Sequence, residues 1–359
     1  MAPVLAVLLA AVCFGTTGTA QAFGPESASS VSIGAARILI GGGLLAALAL
    51  PGLLRARRER RARREHGATL TAPAPHAGRL PSWVLVVIGG LGVLAYQPAF
   101  FVGTAQNGVA VGTVVALGSA PVLTGLLDWL LHRRFPGLVW LLATVIATVG
   151  VVLMSGLPAE WLGVSGAAPG ATSATAISLP GILASVGAGA SYAVYTLAAK
   201  ALLDRGWSPT TSMGAVFGTA ALFSLPVLLT SDTRWLSTPE GVAVALWLGV
   251  VTTAVAYVLF GWGLSRLNAS TVSTLTLAEP LTATILGVAV LGESLGALSA
   301  TGLVVLAVGL VVLTAPGWLP DRLRGREEGR EEGQEEGQDR TAAGRRRHRE
   351  EAAAESSSS

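Results

Sequence analysis

The chain has 359 residues, of which 52% are hydrophobic and only 13% charged, with 45 glycines and a mean hydropathy of +0.62. Soluble domains carry about a quarter of their residues as Asp, Glu, Lys or Arg, so this composition excludes a water-covered globule. The lone cysteine, Cys13, excludes a disulfide framework, an iron–sulfur site and Cys-based zinc sites; the net charge of +3 averages a basic region up to Pro316 and an acidic tail, which is poor footing for nucleic-acid binding.

A helix needs about 20 mostly apolar residues to cross a bilayer. Ten such runs follow one another, at approximately 3–23, 31–53, 83–104, 108–131, 138–156, 179–203, 212–230, 240–264, 270–291 and 297–315. They are long and continuous rather than alternating, which favours helices over a membrane barrel. The first run ends in Ala20-Gln21-Ala22, which resembles a signal-peptide cleavage site, but no basic residue precedes it, so it reads as a retained helix. Residues 55–81 read as a loop, Arg-rich from Arg55 to Arg64 and then Ala/Pro-rich. Such a run beside a hydrophobic span is an anchor for anionic lipid. Residues 316–359 carry Arg-Glu-Glu-Gly and Gln-Glu-Glu-Gly repeats with little to bury, the composition of a disordered charged tail.

Orientation follows from the basic residues of the connections. With a cytoplasmic N-terminus, the inside loops carry thirteen Arg or Lys and the outside loops only Arg234. This bias places both termini in the cytoplasm and requires an even number of spans, which ten satisfies.

The chain also matches itself at a constant offset of 159: Ala110 with Ala269, Pro121 with Pro280, Leu127 with Leu286, Gly137 with Gly296, Val149 with Val308 and Gly150 with Gly309. The first helices align more loosely, Leu9-Ala10-Ala11-Val12 beside Leu183-Ala184-Ser185-Val186. The expected architecture is an all-α membrane protein of ten transmembrane helices in two five-helix repeats, 2–156 and 179–315, joined by an extracytoplasmic linker at 157–178. An odd number of helices per repeat inverts the second copy, a design recurrent in secondary transporters.

These features, with Leu277-Ala278-Glu279-Pro280-Leu281 and Leu291-Gly292-Glu293-Ser294-Leu295, resemble the EamA-type permeases of the drug/metabolite transporter superfamily. The resemblance covers nearly all of 2–315. It implies a multi-pass permease of the bacterial inner membrane that moves small metabolites, often exporting amino acids or related compounds. The first half departs from the pattern, with Arg134 at the position matching Glu293.

Glu279 is the sharpest candidate for the transport chemistry. It lies about 15 Å from either end of its span, where an ionisable group is expensive and faces a cavity or a partner. As a functional group it would bind a substrate amine or couple to protons; as a structural one it would be hydrogen-bonded in the bundle or paired with an Arg. Pro280 and its repeat mate Pro121 each free a carbonyl one turn back and are expected to kink their helices. Arg37 would bind a substrate carboxylate, pair with Glu279 or snorkel to the interface. The resemblance implies a central cavity formed by such helices, which makes Tyr96, Gln97, Tyr192, Tyr195 and Trp262, with Gln106 and Tyr257, further candidates for its wall. Trp247 would pack or line a pore, and Lys200 and Asp128 read as structural.

No metal or cofactor site is expected: the four histidines fall in loops or the tail, and Gly90-Leu91-Gly92-Val93-Leu94-Ala95, which fits the letters of a dinucleotide fingerprint, lies inside a span with no strand before it. Lys200 is the only lysine and lacks a phosphate-binding loop, so ATP-driven pumping by this chain alone is excluded. The rival classes, a membrane-embedded lipid-modifying enzyme and a non-transporting sensor, lack respectively a nucleophile or metal cluster and a soluble signalling domain.

Overall fold

The computed structural model describes residues 1–65, 80–155 and 178–314. The 157–178 linker, apart from Ser178, and the 316–359 tail lie outside the described residues. Ten apolar helices account for the described chain: α1 (Ala2–Ala22), α2 (Ser30–Glu65), α3 (Ser82–Gly108), α4 (Val111–His132), α5 (Leu138–Met154), α6 (Leu179–Leu203), α7 (Pro209–Leu229), α8 (Pro239–Leu264), α9 (Ala269–Leu291) and α10 (Ala297–Thr314). Nine are long and apolar enough to cross a membrane, and α5 is a shorter apolar helix of 17 residues. Their outward faces present Leu5, Leu48, Leu183, Leu222 and Val304 to the surroundings, each more than half exposed. Such a surface suits hydrocarbon and not water.

Local sequence explains where several helices begin. Ser178, Ser208 and Thr238 stand just before α6, α7 and α8, and each hydroxyl accepts a hydrogen bond from the backbone N–H three residues on. A proline follows in the first turn each time, where no N–H is needed.

Two expectations change. The arginine run is not all loop, because α2 continues as helix through Glu65, well past the apolar span that ends at Arg55. Straight-chain arginines and alanine are good helix formers, so an established helix propagates through them. The break between the third and fourth spans falls at Gly108 (φ 79°, ψ 158°), a backbone conformation that a Cβ would disfavour, while the helix runs unbroken through Pro121.

The packing pairs obey a two-fold relation. Helices α2 and α7 pack on each other, as do α5 and α10; α1 packs on α8 and α9, and α6 packs on α3 and α4. Single residues follow the same rule. Gly150 lies against the backbone of Leu306 and Gly309 against that of Ala147, and each pair maps onto the other at the offset of 159. Gly15 of α1 lies against the Glu279 carbonyl of α9, while its counterpart Gly189 of α6 lies against the backbone of Ala116 and Ala120 in α4. Small residues that let backbones approach are how membrane helices pack without a hydrophobic driving force. The Gly90 and Gly92 of the fingerprint-like run serve the same end, meeting Thr219 of α7 and Ser191 of α6.

Candidate functional site

The helices that cross at the middle of the bundle leave a cavity of about 80 Å³. Helix α9 reaches it in two pieces, Ala269–Leu275 and Ala278–Leu291, separated by a turn at Thr276–Leu277. The break lies directly ahead of Pro280, which has no N–H for the Thr276 carbonyl; that carbonyl accepts from the Glu279 N–H instead, at 2.9 Å. The first piece is tied down. Trp140 of α5 donates from its indole nitrogen to the Ser270 carbonyl at 3.1 Å and to the Thr274 hydroxyl at 3.0 Å, and Thr144 bonds Thr274 at 2.9 Å. The second piece rests on Gly15 of α1.

Six of the seven proposed contact residues converge here. Glu279, Arg37, Tyr96, Gln97, Tyr192 and Tyr195 all line the cavity, and with Tyr257 every tyrosine of the chain is in its wall. The Glu279 carboxylate makes no hydrogen bond or ion pair with another described residue, although Arg37 faces the same space. Burying an ionised group is costly unless something pairs with it. The aromatic side is built from ring contacts among Phe14, Tyr192, Tyr195, Phe217 and Tyr257. Their polar tips are satisfied: the Tyr195 and Tyr257 hydroxyls lie 3.2 Å apart, and Tyr192 bonds Thr276 at 3.0 Å. Because Thr276 donates its own proton to the Ser273 carbonyl at 2.8 Å, Tyr192 is the donor of that pair.

The seventh candidate is elsewhere. Trp262 sits toward the end of α8 with the Arg266 guanidinium 4.1 Å over its ring, outside the cavity wall. Gln106 is also diverted, accepting from the Ser178 hydroxyl at 2.8 Å, and Asn107 brackets the same residue by bonding its N–H and its carbonyl. Trp247 donates to Thr16 on an exposed face at 2.9 Å. Lys200 bonds the Leu264 carbonyl at the end of α8 and pairs with Asp204, and Asp128 pairs with His132 rather than with Arg133 or Arg134. Phe14, Phe217, Ser273 and Thr276 are wall residues that sequence inspection did not single out. Thr276 was nonetheless marked by its place four residues before Pro280.

The sequence profile described as "EamA-like transporter family" matches the chain twice, over residues 1–156 and 179–315. A protein of Bacillus subtilis named "Uncharacterized transporter YwfM" is 38% identical over 311 residues, covering 87% of this chain and 93% of that one. The "Threonine/homoserine exporter RhtA" of Escherichia coli K12 is 31% identical over 145 residues, 39% of this chain and 45% of its own length. A solved crystal structure superposes with a TM-score of 0.65 at 20% identity, over 87% of this chain and 96% of that chain, a likeness of fold alone. Ten apolar helices around a central cavity lined by Glu279 and Arg37, a doubled profile match and a near full-length transporter relative agree: this multi-pass membrane protein belongs to the EamA-like transporter family.

Proposed function

We propose that the protein is a secondary transporter that exports small amino-bearing metabolites, amino acids or related compounds, from the cytoplasm of a bacterium. The observation that carries this reading is the Glu279 carboxylate, which faces a central cavity at a helix break with no hydrogen bond or contact ion pair to another described residue. An ammonium group docked there would supply the missing charge, and a proton would supply it when the site is empty. That exchange is one route to proton coupling. The name of RhtA, a distant relative over part of the chain, supports amino-acid export as the class to test first.

The motion proposed is a rocking of residues 2–156 against 179–315, two inverted units, with both termini in the cytoplasm. The cavity sits where helices of both halves meet, so tilting one half against the other would open it first to one side and then to the other. A cavity of about 80 Å³ suits a compact metabolite. Neither a metal nor a cofactor enters the proposed cycle.

The test is flux into proteoliposomes of the purified full chain, with pooled radiolabelled amino acids and with cationic drugs, each with and without an imposed proton gradient. Saturable uptake of one or more amino acids is expected, accelerated by the gradient. Uptake of none of them would overturn the amino-metabolite reading.

A further inference from the structure

Helices α2 and α8 touch at backbone distance. A Cβ at Gly41 would overlap Thr253 and the Gly249 carbonyl, and one at Gly249 would overlap Ile40. At this crossing α8 leaves the α-helical pattern and runs as π-helix over Trp247–Val255. Such stretches are rare and concentrate at functional sites, because the widened turn re-aims side chains and carbonyls.

Here the widened turn builds a holder. The hydroxyls of Thr252 and Thr253 both donate to the Leu248 carbonyl, at 2.8 and 2.9 Å. With its only proton spent, the Thr253 oxygen is an acceptor toward the cavity side, and it accepts from Arg37 Nε at 3.1 Å. The backbone carbonyl of Thr252 accepts from Arg37 Nη2 at 3.3 Å. A guanidinium has five N–H groups in a fixed fork. These two bonds hold its Nε–Nη2 edge; at the other end of the fork Nη1 makes no bond to another described residue, and one N–H of Nη2 is left beside it. Arg37 lines the cavity that Glu279 also lines, and no ion pair joins the two.

We infer that the π-helical stretch of α8 presents Arg37 as a two-pronged carboxylate reader, with Thr253 as its positioning residue, so that the substrate is a zwitterion gripped at both ends. The free end of the fork matches a carboxylate with two parallel hydrogen bonds. Fixing the other edge in advance removes the cost of ordering a long side chain when the substrate arrives. A zwitterion would neutralise both cavity charges at once, whereas a plain amine would leave the guanidinium unpaired. The inference rests on the amino-metabolite reading, with Glu279 at the ammonium end.

The experiment uses the full chain in proteoliposomes with three matched panels: the common amino acids, their decarboxylated amines, and their deaminated 2-oxo acids. The wild type should carry amino acids and leave the amines behind. Thr253→Val should raise KM for the best amino acid by roughly tenfold at little change in kcat, the loss expected for a hydrogen bond to a charged group. Thr253→Ser, which keeps the hydroxyl, should restore the wild-type KM, and thermal melts of both variants would show that they fold. Amines carried as well as amino acids would overturn the carboxylate reader while leaving the amine reading intact. The 2-oxo acids carried alone would overturn the role given to Glu279 while leaving Arg37's. Equal behaviour of Thr253→Val and Thr253→Ser would remove Thr253 from the site, and flux of none of the three panels would overturn both readings.

Discussion

Helices α4 and α9 occupy equivalent places in the two halves, and their differences separate scaffold from chemistry. Both carry a proline at the same repeat position, Pro121 and Pro280, and both put the residue four before it into the cavity wall, Leu117 and Thr276. One turn further on, the wall residues are Ala120 in α4 and Glu279 in α9. The tether differs as well. Trp140 and Thr144 hold α9 through Ser270 and Thr274, whereas the repeat mates of these four residues are Ser299, Leu303, Val111 and Val115, three of them apolar. The proline position is thus duplicated, but neither the break in α9 nor its polar equipment is. The cavity wall draws polar groups from both halves, Arg37, Tyr96 and Gln97 among them from the first, but its one carboxylate, Glu279, comes from α9.

The sharpest way to break this contrast is to alter the paired wall positions. Glu279→Gln should reduce transport of the preferred amino acid by roughly 100-fold, since it leaves a desolvated ammonium without its counter-charge. Ala120→Ser, at the equivalent place, should stay within about twofold of wild type, because neither charge nor much volume changes. Comparable losses from both would show that the chemistry is shared between the halves after all. The frame should respond oppositely. Gly150→Leu and Gly309→Leu each push a side chain into the partner backbone at equivalent crossings of α5 and α10. Both should cost about 1–3 kcal/mol of stability and by similar amounts. Thermal melts in detergent measure this, and a large inequality would break the symmetry of the frame.

Much of this was legible in the sequence because the bilayer constrains it so heavily. Helix number followed from length and hydropathy, since backbone polar groups in lipid leave almost no alternative to a helix. The repeat followed from the offset of 159, and Glu279 and Arg37 stood out because ionisable residues in spans are few. What stayed hidden depends on which face of a helix meets which neighbour. Trp262 and Gln106 are polar or aromatic positions on helices expected to form the cavity, but Trp262 is outside the wall and Gln106 is turned to the start of α6. Phe14 and Phe217 look like ordinary lipid-facing or core residues until the crossings of α1 and α7 turn them inward. The π-helix of α8, which coincides with the close approach of α2 at Gly41, has no sequence mark beyond two threonines. The Arg-rich extension of α2 has the composition of a loop because charge marks the end of a span, but charge alone does not end a helix.

Smaller effects refine the same contrast. Tyr192 donates to Thr276, and Thr276 belongs to the turn that splits α9, with no hydroxyl at its counterpart Leu117. Tyr192→Phe keeps the ring in the aromatic wall and deletes only that bond. A loss of about 1 kcal/mol is expected, a change of roughly fivefold in KM. The readout is the KM of the best amino acid, and an unchanged value would show that the turn does not need its tether to α6.

The smallest effect is expected at Trp262. It is an aromatic position on a helix expected to form the cavity, but its ring lies under the Arg266 guanidinium, which also donates to the Trp262 carbonyl at 3.2 Å. That arrangement ties an arginine to the end of α8, outside the cavity wall. Trp262→Leu should therefore keep transport within about twofold of wild type, losing only the modest attraction of an exposed cation over a ring. Double substitution with Glu279→Gln should look like Glu279→Gln alone. If Trp262→Leu instead abolished transport while the protein remained folded, the path would have to pass this end of α8 in the opposite tilt of the two halves. The site would then extend along the second half toward the membrane surface, instead of ending at the cavity wall.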